Sequence, residues 1–316
     1  MAIVANTFTR YSAIGIREDL SNVIYNISPE ETPFISNIGR ENVKNTYFEW
    51  QTDSLAAASA SNAALEGDDV GSFNAVNPTS RIGNYTQIST KNVIISGTLE
   101  ALDKAGRRSE LTYQLAKLGS ELKRDMESAL LANQSPVAGN TTTARRTAGL
   151  PAFIKTNTSF GTGGADTAGI AARTDGTQRA FTEALLKTVI AKVWESGGTP
   201  KMLMVGSFNK QAASAFNGIA TRFRDVPAGQ QAQIVGAADV YVSDFGTVNI
   251  VPNRFQRARD AFVVDPQYAS MAVLRPIQQM ELAKTGDAEK RLMLVEYGLK
   301  VNNEAAHGIV ADLTTS

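Results

Sequence analysis

The clearest hydrophobic pattern in the chain lies between Ser109 and Asn133. Apolar side chains recur there at steps of three and four residues, which places them on one face of a helix. They are Leu111, Leu115, Leu118, Leu122, Met126 and Leu130. Ser109 is suited to be the N-cap, because its side-chain oxygen can accept hydrogen bonds from the first free amides. The segment therefore predicts one long amphipathic helix with β-like sequence on both sides.

The strand signals before this helix predict a long β-hairpin. Aromatic and polar residues alternate from Thr46 to Thr52, and β-branched residues are frequent from Tyr85 to Ser96. The stretch of small and polar residues between them predicts a long loop at the tip. A two-stranded hairpin is marginally stable in water by itself, so it must fold back on its own domain or lie on another chain.

The second half of the chain mixes helix and strand signals and predicts an α+β domain. An amphipathic helix is expected from Thr182, its N-cap, to Ser196, and Gly197-Gly198 ends it. Two further helices are predicted, a short N-terminal one at Glu18–Ile27 and one that is capped by Ser207 and runs to about Asn217, together with an anchoring turn after Pro33. The other predicted elements are short strands at Leu150–Ile154, Lys201–Val205, Ala261–Val264 and Met271–Leu274, a hairpin from Val240 to Val251 and a long final strand at Lys290–Val301.

Composition narrows the class of protein. The 316 residues suggest about two domains, and the 31 basic residues balance the 31 acidic ones. Cysteine is absent, which excludes disulfides, thiolate metal sites and cysteine nucleophiles. With a single histidine, zinc sites built on several imidazoles are excluded as well. The sequence contains neither a signal-peptide pattern nor a continuous apolar run long enough to span a bilayer.

Two motifs could carry chemistry, and each has a simpler interpretation. His307 could act as a general base, but no nucleophile elbow accompanies it, so a structural or exposed role is favoured. Gly161-Thr162-Gly163-Gly164 suggests a phosphate cradle, but it lacks the Lys-Ser/Thr of a P-loop, which favours a flexible loop. We therefore assign no catalytic, cofactor-binding or metal-binding residue.

Charged clusters are better candidates for contacts between subunits. The acidic residues Glu66, Asp68 and Asp69 lie in the predicted hairpin tip, where they could meet basic groups of a neighbour, hold a divalent cation or remain in solvent. Arg254 and Arg257 lie in the basic segment NRFQRARD, together with Arg259, and Arg145-Arg146 form a second basic pair. Such groups can bind phosphate, but ion pairs between subunits are favoured because the total charge is zero.

Several local motifs resemble a family of phage major head proteins related to the SU-ten head proteins. These motifs are TPFISNIG (Thr32–Gly39), FEWQTD (Phe48–Asp53), NYTQI (Asn84–Ile88), SGTLEAL (Ser96–Leu102) and ELTYQLAKLGSELKRDME (Glu110–Glu127). The order of the predicted elements is also similar to that of tailed-phage capsid proteins with the Hong Kong 97-type fold. The likeness covers nearly the whole chain and is densest from about residue 30 to 150.

The resemblance implies a division of the chain. Residues 1–45 would form an N-terminal arm, 46–97 the extended loop that lies across a neighbouring subunit, and 98–180 a peripheral domain with the spine helix at 109–133. Residues 181–275 would form the axial domain around fivefold and sixfold centres, and 276–316 would return to the peripheral domain. No long N-terminal scaffolding segment is present, so a separate scaffolding protein is expected.

The hypothesis from sequence is therefore a structural, non-enzymatic protein that assembles into the icosahedral head of a tailed phage. Its expected partners are further copies in hexamers and pentamers, a scaffolding protein, a portal, a decoration protein and, without sequence specificity, the packaged double-stranded DNA. No cofactor and no membrane are expected, and the chain would be made in the host cytoplasm and end in the virion. The alternatives are an encapsulin-like cellular cage and a soluble hydrolase.

Overall fold

The computed structural model describes residues 31–53, 55–63, 66–67, 76, 78–216 and 239–316. The predicted helix at Glu18–Ile27 lies outside the described residues. The described helices are α1 (Pro33–Asn37), α2 (Gly97–Ala101), α3 (Glu110–Leu131), α4 (Leu150–Phe153), α5 (Glu183–Glu195) and α6 (Ser207–Ser214). The described strands are β1 (Gly39–Asn42), β2 (Tyr47–Thr52), β3 (Ser80–Tyr85), β4 (Gln87–Ser96), β5 (Thr158–Ser159), β6 (Met202–Val205), β7 (Val240–Ser243), β8 (Gly246–Pro252), β9 (Ala261–Val264), β10 (Ala269–Glu281), β11 (Ala288–Val301) and β12 (Gly308–Val310).

Helix α3 is the long helix that the hydrophobic spacing predicts. The Ser109 hydroxyl accepts a hydrogen bond from the Thr112 amide at 3.2 Å, so the predicted N-cap is confirmed. The apolar stripe buries Leu122, Met126 and Leu130 against the core. Lys91 of β4 forms an ion pair with Asp125 of α3 at 2.8 Å, which ties the helix to the neighbouring sheet.

That sheet has four strands in the order β1-β10-β11-β4. β1 is parallel to β10, whereas β10, β11 and β4 are antiparallel neighbours. The β10–β11 register shifts twice, between Val273 and Arg275 and again between Arg275 and Gln278. Beyond these shifts the outer end of β10 is exposed. The long final strand predicted at Lys290–Val301 is confirmed as β11.

The second sheet has six strands in the order β5-β12-β9-β6-β8-β7. Helix α5 packs on one face of it and buries Leu186, Val189 and Ile190 in a core separate from that under α3. β6 is buried at every residue, as its apolar run predicts. The predicted hairpin from Val240 to Val251 is confirmed as β7 and β8.

Three local predictions are wrong. The partner of β2 is β3, which the sequence placed in the loop, whereas β4 pairs with β11 in the four-stranded sheet. Leu150–Phe153 is a buried helical turn rather than a strand, because Pro151 at its start has a backbone angle suited to a helix and no amide to donate. Helix α6 has Gly206 as its N-cap rather than Ser207, and it ends at Ser214.

Candidate assembly surfaces

The base of the β2–β3 hairpin is anchored on the body of its own chain. Strand alternation turns Phe48 and Trp50 inward, where they are 8% and 9% exposed. The Trp50 ring lies 6.1 Å from the ring of Phe153 and 5.9 Å from that of Phe48, measured between centroids. The hairpin therefore has a fixed root, and its tip and the outward-facing side of the root, which includes Glu49 and Gln51, remain exposed.

The described residues of the tip, from Asp53 to Thr79, are all exposed. Leu55 is 98% exposed and Val76 is 93% exposed. Burying an apolar side chain of this size stabilises by about 1.5–3 kcal/mol, and the tip does not gain this within its own chain. Of the three predicted acidic contact residues, Glu66 is exposed, whereas Asp68 and Asp69 lie outside the described residues.

The two predicted basic contact residues have different surroundings. Arg254 is exposed. Arg257 instead forms ion pairs within the chain, with Asp175 at 2.5 Å and Asp260 at 3.1 Å. The structure thus gives Arg257 an internal role that the sequence did not suggest, and it leaves Arg254 as the accessible member of the pair.

Arg259 extends the same internal network. Its guanidinium contacts Asp175 at 3.2 Å and Asp312 at 2.8 Å. Burial acts to raise the pKa of Asp175, but the hydrogen bond and charge of Arg257 and the charge of Arg259 outweigh it and hold that pKa below its ordinary value. Burial raises the pKa of Asp260 to about 6, although Arg257 and Arg173 act against this shift.

The second basic pair is also used inside the chain. Arg145 forms an ion pair with the buried carboxylate of Glu296, and Arg275 holds the other oxygen of that carboxylate at 2.7 Å. Arg146 donates a long hydrogen bond, of 3.4 Å, to the Ser135 carbonyl. Arg254 and Arg146 are thus the exposed members of the two basic groups, and they remain the candidates for an inter-subunit contact.

The glycine-rich loop from Gly161 to Gly176 is folded around a carboxylate of its own chain. Asp312 accepts hydrogen bonds from the Gly161 amide at 3.1 Å and from the Gly176 amide at 2.9 Å. Asp312 itself has a φ of 61°, a left-handed conformation that is uncommon for residues other than glycine. The loop is therefore pinned at both ends by a carboxylate of its own chain.

His307 is fully buried and belongs to the fold rather than to an open site. Its Nε2 lies 3.4 Å from the Tyr268 carbonyl oxygen, and its Nδ1 has no partner among the described residues. Burial lowers the pKa of His307 from its ordinary value of 6.5 to about 4, although the Tyr268 carbonyl acts in the opposite direction. The imidazole is thus neutral near pH 7, which agrees with the structural role favoured from sequence.

A buried glutamate on α3 joins three distant segments, and the sequence pattern did not reveal it. Glu127 accepts hydrogen bonds from the amides of Phe34 and Ile35 at 2.7 and 2.9 Å, and from the Asn253 side chain at 2.7 Å. Burial raises the pKa of Glu127, and these three hydrogen bonds act to lower it. The carboxylate thereby fixes α1 and the segment after β8 to the long helix.

Neither a metal-binding group nor a membrane-spanning helix is found in the part of the chain that the structure describes. No group of three or more His, Asp or Glu side chains there is placed to hold a metal ion. No described helix is long and apolar enough to cross a membrane.

Comparisons with known proteins identify the family. The family model of the SU10 major capsid protein matches residues 3–314. The major capsid protein of Escherichia phage Phieco32 is 28% identical over 345 residues and covers 96% of each chain. Two solved structures share the fold at 12% identity. The capsid asymmetric unit of cyanophage A-1(L) has a TM-score of 0.68, and the match covers 95% of this chain and 98% of that chain. The SrpI encapsulin of Synechococcus elongatus has a TM-score of 0.54, and the match covers 97% of this chain and 95% of that chain.

These matches span nearly the whole chain, and they confirm the family and the Hong Kong 97-type fold that the sequence motifs predict. The chain belongs to the SU10 major capsid protein family.

Proposed function

We propose that this chain is the repeating subunit of an icosahedral tailed-phage head that encloses double-stranded DNA. The observation that carries the proposal is the hairpin, which is rooted on its own body at Trp50 and exposes Leu55 almost completely at its tip. Such a tip becomes buried only when another molecule covers it. Head-to-tail contacts of this kind close into rings when the rotation between neighbours permits.

The division of the chain by role is part of the proposal. Residues 1–45 would form the arm, 46–97 the extended loop, 98–180 and 276–316 the peripheral domain, and 181–275 the axial domain around fivefold and sixfold centres. The core between α5 and the six-stranded sheet supports a separate axial unit, since most of its residues lie within 181–275, joined by Val310 and Leu313 of the return segment. The other face of that sheet contributes Met202, Met204 and Phe262 to the core under α3, so the two proposed domains share a packed boundary. Among the described residues of the proposed loop, β2 and β3 form the paired hairpin at its base, whereas β4 lies in the four-stranded sheet beside β11.

The partners of the proposed shell are other copies in hexamers and pentamers, a scaffolding protein, a portal and a decoration protein. The zero net charge supports close packing of many copies, since strongly charged subunits would repel one another. The equal number of basic and acidic residues also favours non-specific rather than sequence-specific contact with the packaged DNA. The subunit would be made in the host cytoplasm, would reach the virion by assembly, and would serve there as a structural protein rather than an enzyme.

The simplest test is to express the chain, alone and together with the neighbouring structural genes, and to image the products by negative-stain electron microscopy. Closed shells of uniform size, eluting in the megadalton range, are expected. A small discrete oligomer under both conditions would contradict the proposal.

An encapsulin-like cage is the second candidate, because that class of protein has the same fold. The contents of purified particles separate the two functions. Double-stranded DNA inside native particles is expected for the phage head, whereas enzyme cargo without DNA would favour the cage.

Reversing the charge of the acidic tip is expected to hinder assembly without unfolding the subunit. The variant carries Glu66→Lys, Asp68→Lys and Asp69→Lys. Exposed ion pairs contribute about 0.2–1 kcal/mol each, and the loss recurs at every subunit, so particle yield should fall roughly tenfold. Yield is measured by sedimentation, and folding of the subunit by circular dichroism.

The matched control is the neutral triple variant Glu66→Gln, Asp68→Asn and Asp69→Asn. It removes the attraction without adding repulsion, so its yield should lie between those of the wild type and the lysine variant. A normal particle yield from the lysine variant would show that the acidic tip takes no part in assembly.

A further inference from the structure

A half-open groove lies between α1, the middle of α3 and strands β10 and β11. Its volume is about 300 Å³. The floor is apolar and is formed by Ile35, Met126, Met271 and Val295, which are all buried. Ile277 stands at one side and remains 40% exposed. This volume is at the lower end of the range for ligand pockets, which suits a few apolar side chains of a peptide better than a large ligand.

The rim of the groove is basic. Arg40 and Lys123 both line it, and both are exposed. Neither forms an ion pair with another described residue, and none of the described lining residues is acidic. An apolar floor with two cations at its edge fits a peptide segment that combines apolar side chains with carboxylates.

One segment of this chain has that composition and a suitable position. The described residues begin at Glu31, and Thr32 lines the groove. The ten residues from Glu18 to Ile27 read EDLSNVIYNI, with two carboxylates at the start and apolar residues at positions 20, 23 and 24, a helical spacing. The five steps from residue 27 to residue 32 can span roughly 17 Å at about 3.4 Å per residue, which is enough for a fold-back onto the groove.

We propose that residues 18–27 bind in this groove of their own chain. Leu20, Val23 and Ile24 would cover the apolar floor, and Glu18 and Asp19 would face Arg40 and Lys123. The short tether raises the effective concentration of the segment at the groove into the millimolar range, which favours it over an unattached peptide of the same composition. This inference concerns the single chain and does not depend on the proposed shell.

Because the chain contains no cysteine, engineered thiols react without background. Asn22→Cys is combined with Ser36→Cys or with Asn42→Cys, whose native side chains line the groove, and the unassembled full-length chain is treated with a short bis-maleimide. A crosslink within one chain is expected in most molecules of at least one pair. The control pair Asn22→Cys and Thr188→Cys, with the second thiol on the exposed side of α5, should yield little of this product.

Mass spectrometry after proteolysis separates the outcomes. A crosslink between two chains would mean that the groove holds a segment of another copy, and this would overturn the proposal. Absence of any product from both groove pairs would overturn it as well. An intrachain crosslink supports it, provided that the control pair stays largely unreacted.

Charge reversal tests the contacts at the rim. Arg40→Glu with Lys123→Glu should slow formation of the intrachain crosslink about three- to tenfold, as expected for two exposed ion pairs. Adding Glu18→Lys and Asp19→Lys should restore most of the rate. If reversal at the rim leaves the rate unchanged, the proposed pairing of carboxylates with Arg40 and Lys123 is wrong.

Discussion

Replacing Glu127 by alanine is expected to lower the free energy of unfolding by about 3 kcal/mol. The substitution leaves the Phe34 amide, the Ile35 amide and the Asn253 side-chain amide without an acceptor in a buried position. Each unsatisfied buried donor costs about 1–3 kcal/mol. The alanine variant no longer has the desolvation cost of a buried carboxylate, and this offsets part of that loss. The midpoint of urea unfolding of the unassembled subunit measures the change, with the slope of the transition as a check on its cooperativity.

An exposed helical glutamate supplies the matched control. Glu195 at the end of α5 is exposed, so Glu195→Ala should change stability by no more than about 0.5 kcal/mol. Glu127→Gln should lie between the wild type and the alanine variant, because an amide has one acceptor oxygen and its NH₂ group cannot accept the remaining bonds. Equal stability of Glu127→Ala and Glu195→Ala would show that the buried carboxylate does not hold α1 in place.

Titration of His307 is expected to lower the free energy of unfolding by about 3 kcal/mol as the pH falls from 6.5 to 4. Its folded pKa of about 4 lies below the ordinary value of 6.5, so the unfolded chain binds the proton first on acidification. Stability is therefore lost across that window, at about 1.4 kcal/mol for each unit of pKa difference. Because the chain has one histidine, its imidazole resonance in an NMR titration gives the folded pKa directly.

The stability measurement must separate His307 from Asp260. The pKa of Asp260 is raised to about 6, so the folded state binds that proton more readily and gains stability as the pH falls. This effect has the opposite sign. Comparing the wild type with His307→Gln at each pH cancels the contribution of Asp260, and the difference between the two proteins should change by about 3 kcal/mol in favour of the variant. A difference that does not vary with pH would contradict the low pKa.

The main helices were predictable because their pattern is local. The stripe of α3 from Leu111 to Leu130 and the apolar side of α5 recur at helical spacing, and the observed helices end within a few residues of the predicted limits. The pairing of β2 was not predictable in the same way. β3 contains Gly83 and Asn84, which are weak strand formers, whereas the adjacent β4 is rich in β-branched residues and pairs with a distant strand.

The polar residues that organise the fold were missed for a related reason. Glu127 binds residues more than ninety positions away, and Asp312 binds glycines more than one hundred and thirty positions away, so no local pattern marks either of them. One signal was available for Glu127. It lies three residues before Leu130 and therefore borders the apolar stripe of α3, where a charged side chain needs internal partners. Pro151 is a similar local signal for α4, because a proline has no amide to donate and is better suited to the first turn of a helix than to the interior of a strand.

The two register shifts in the β10–β11 ribbon mark a place where we expect the subunit to bend. Ladder hydrogen bonds are interrupted around Arg275, while the paired segments on either side are continuous. In a closed surface, subunits at vertices and on flat facets must take different curvature. We expect the ribbon to flex at this point, so that one amino-acid sequence can serve both environments while its two cores stay unchanged.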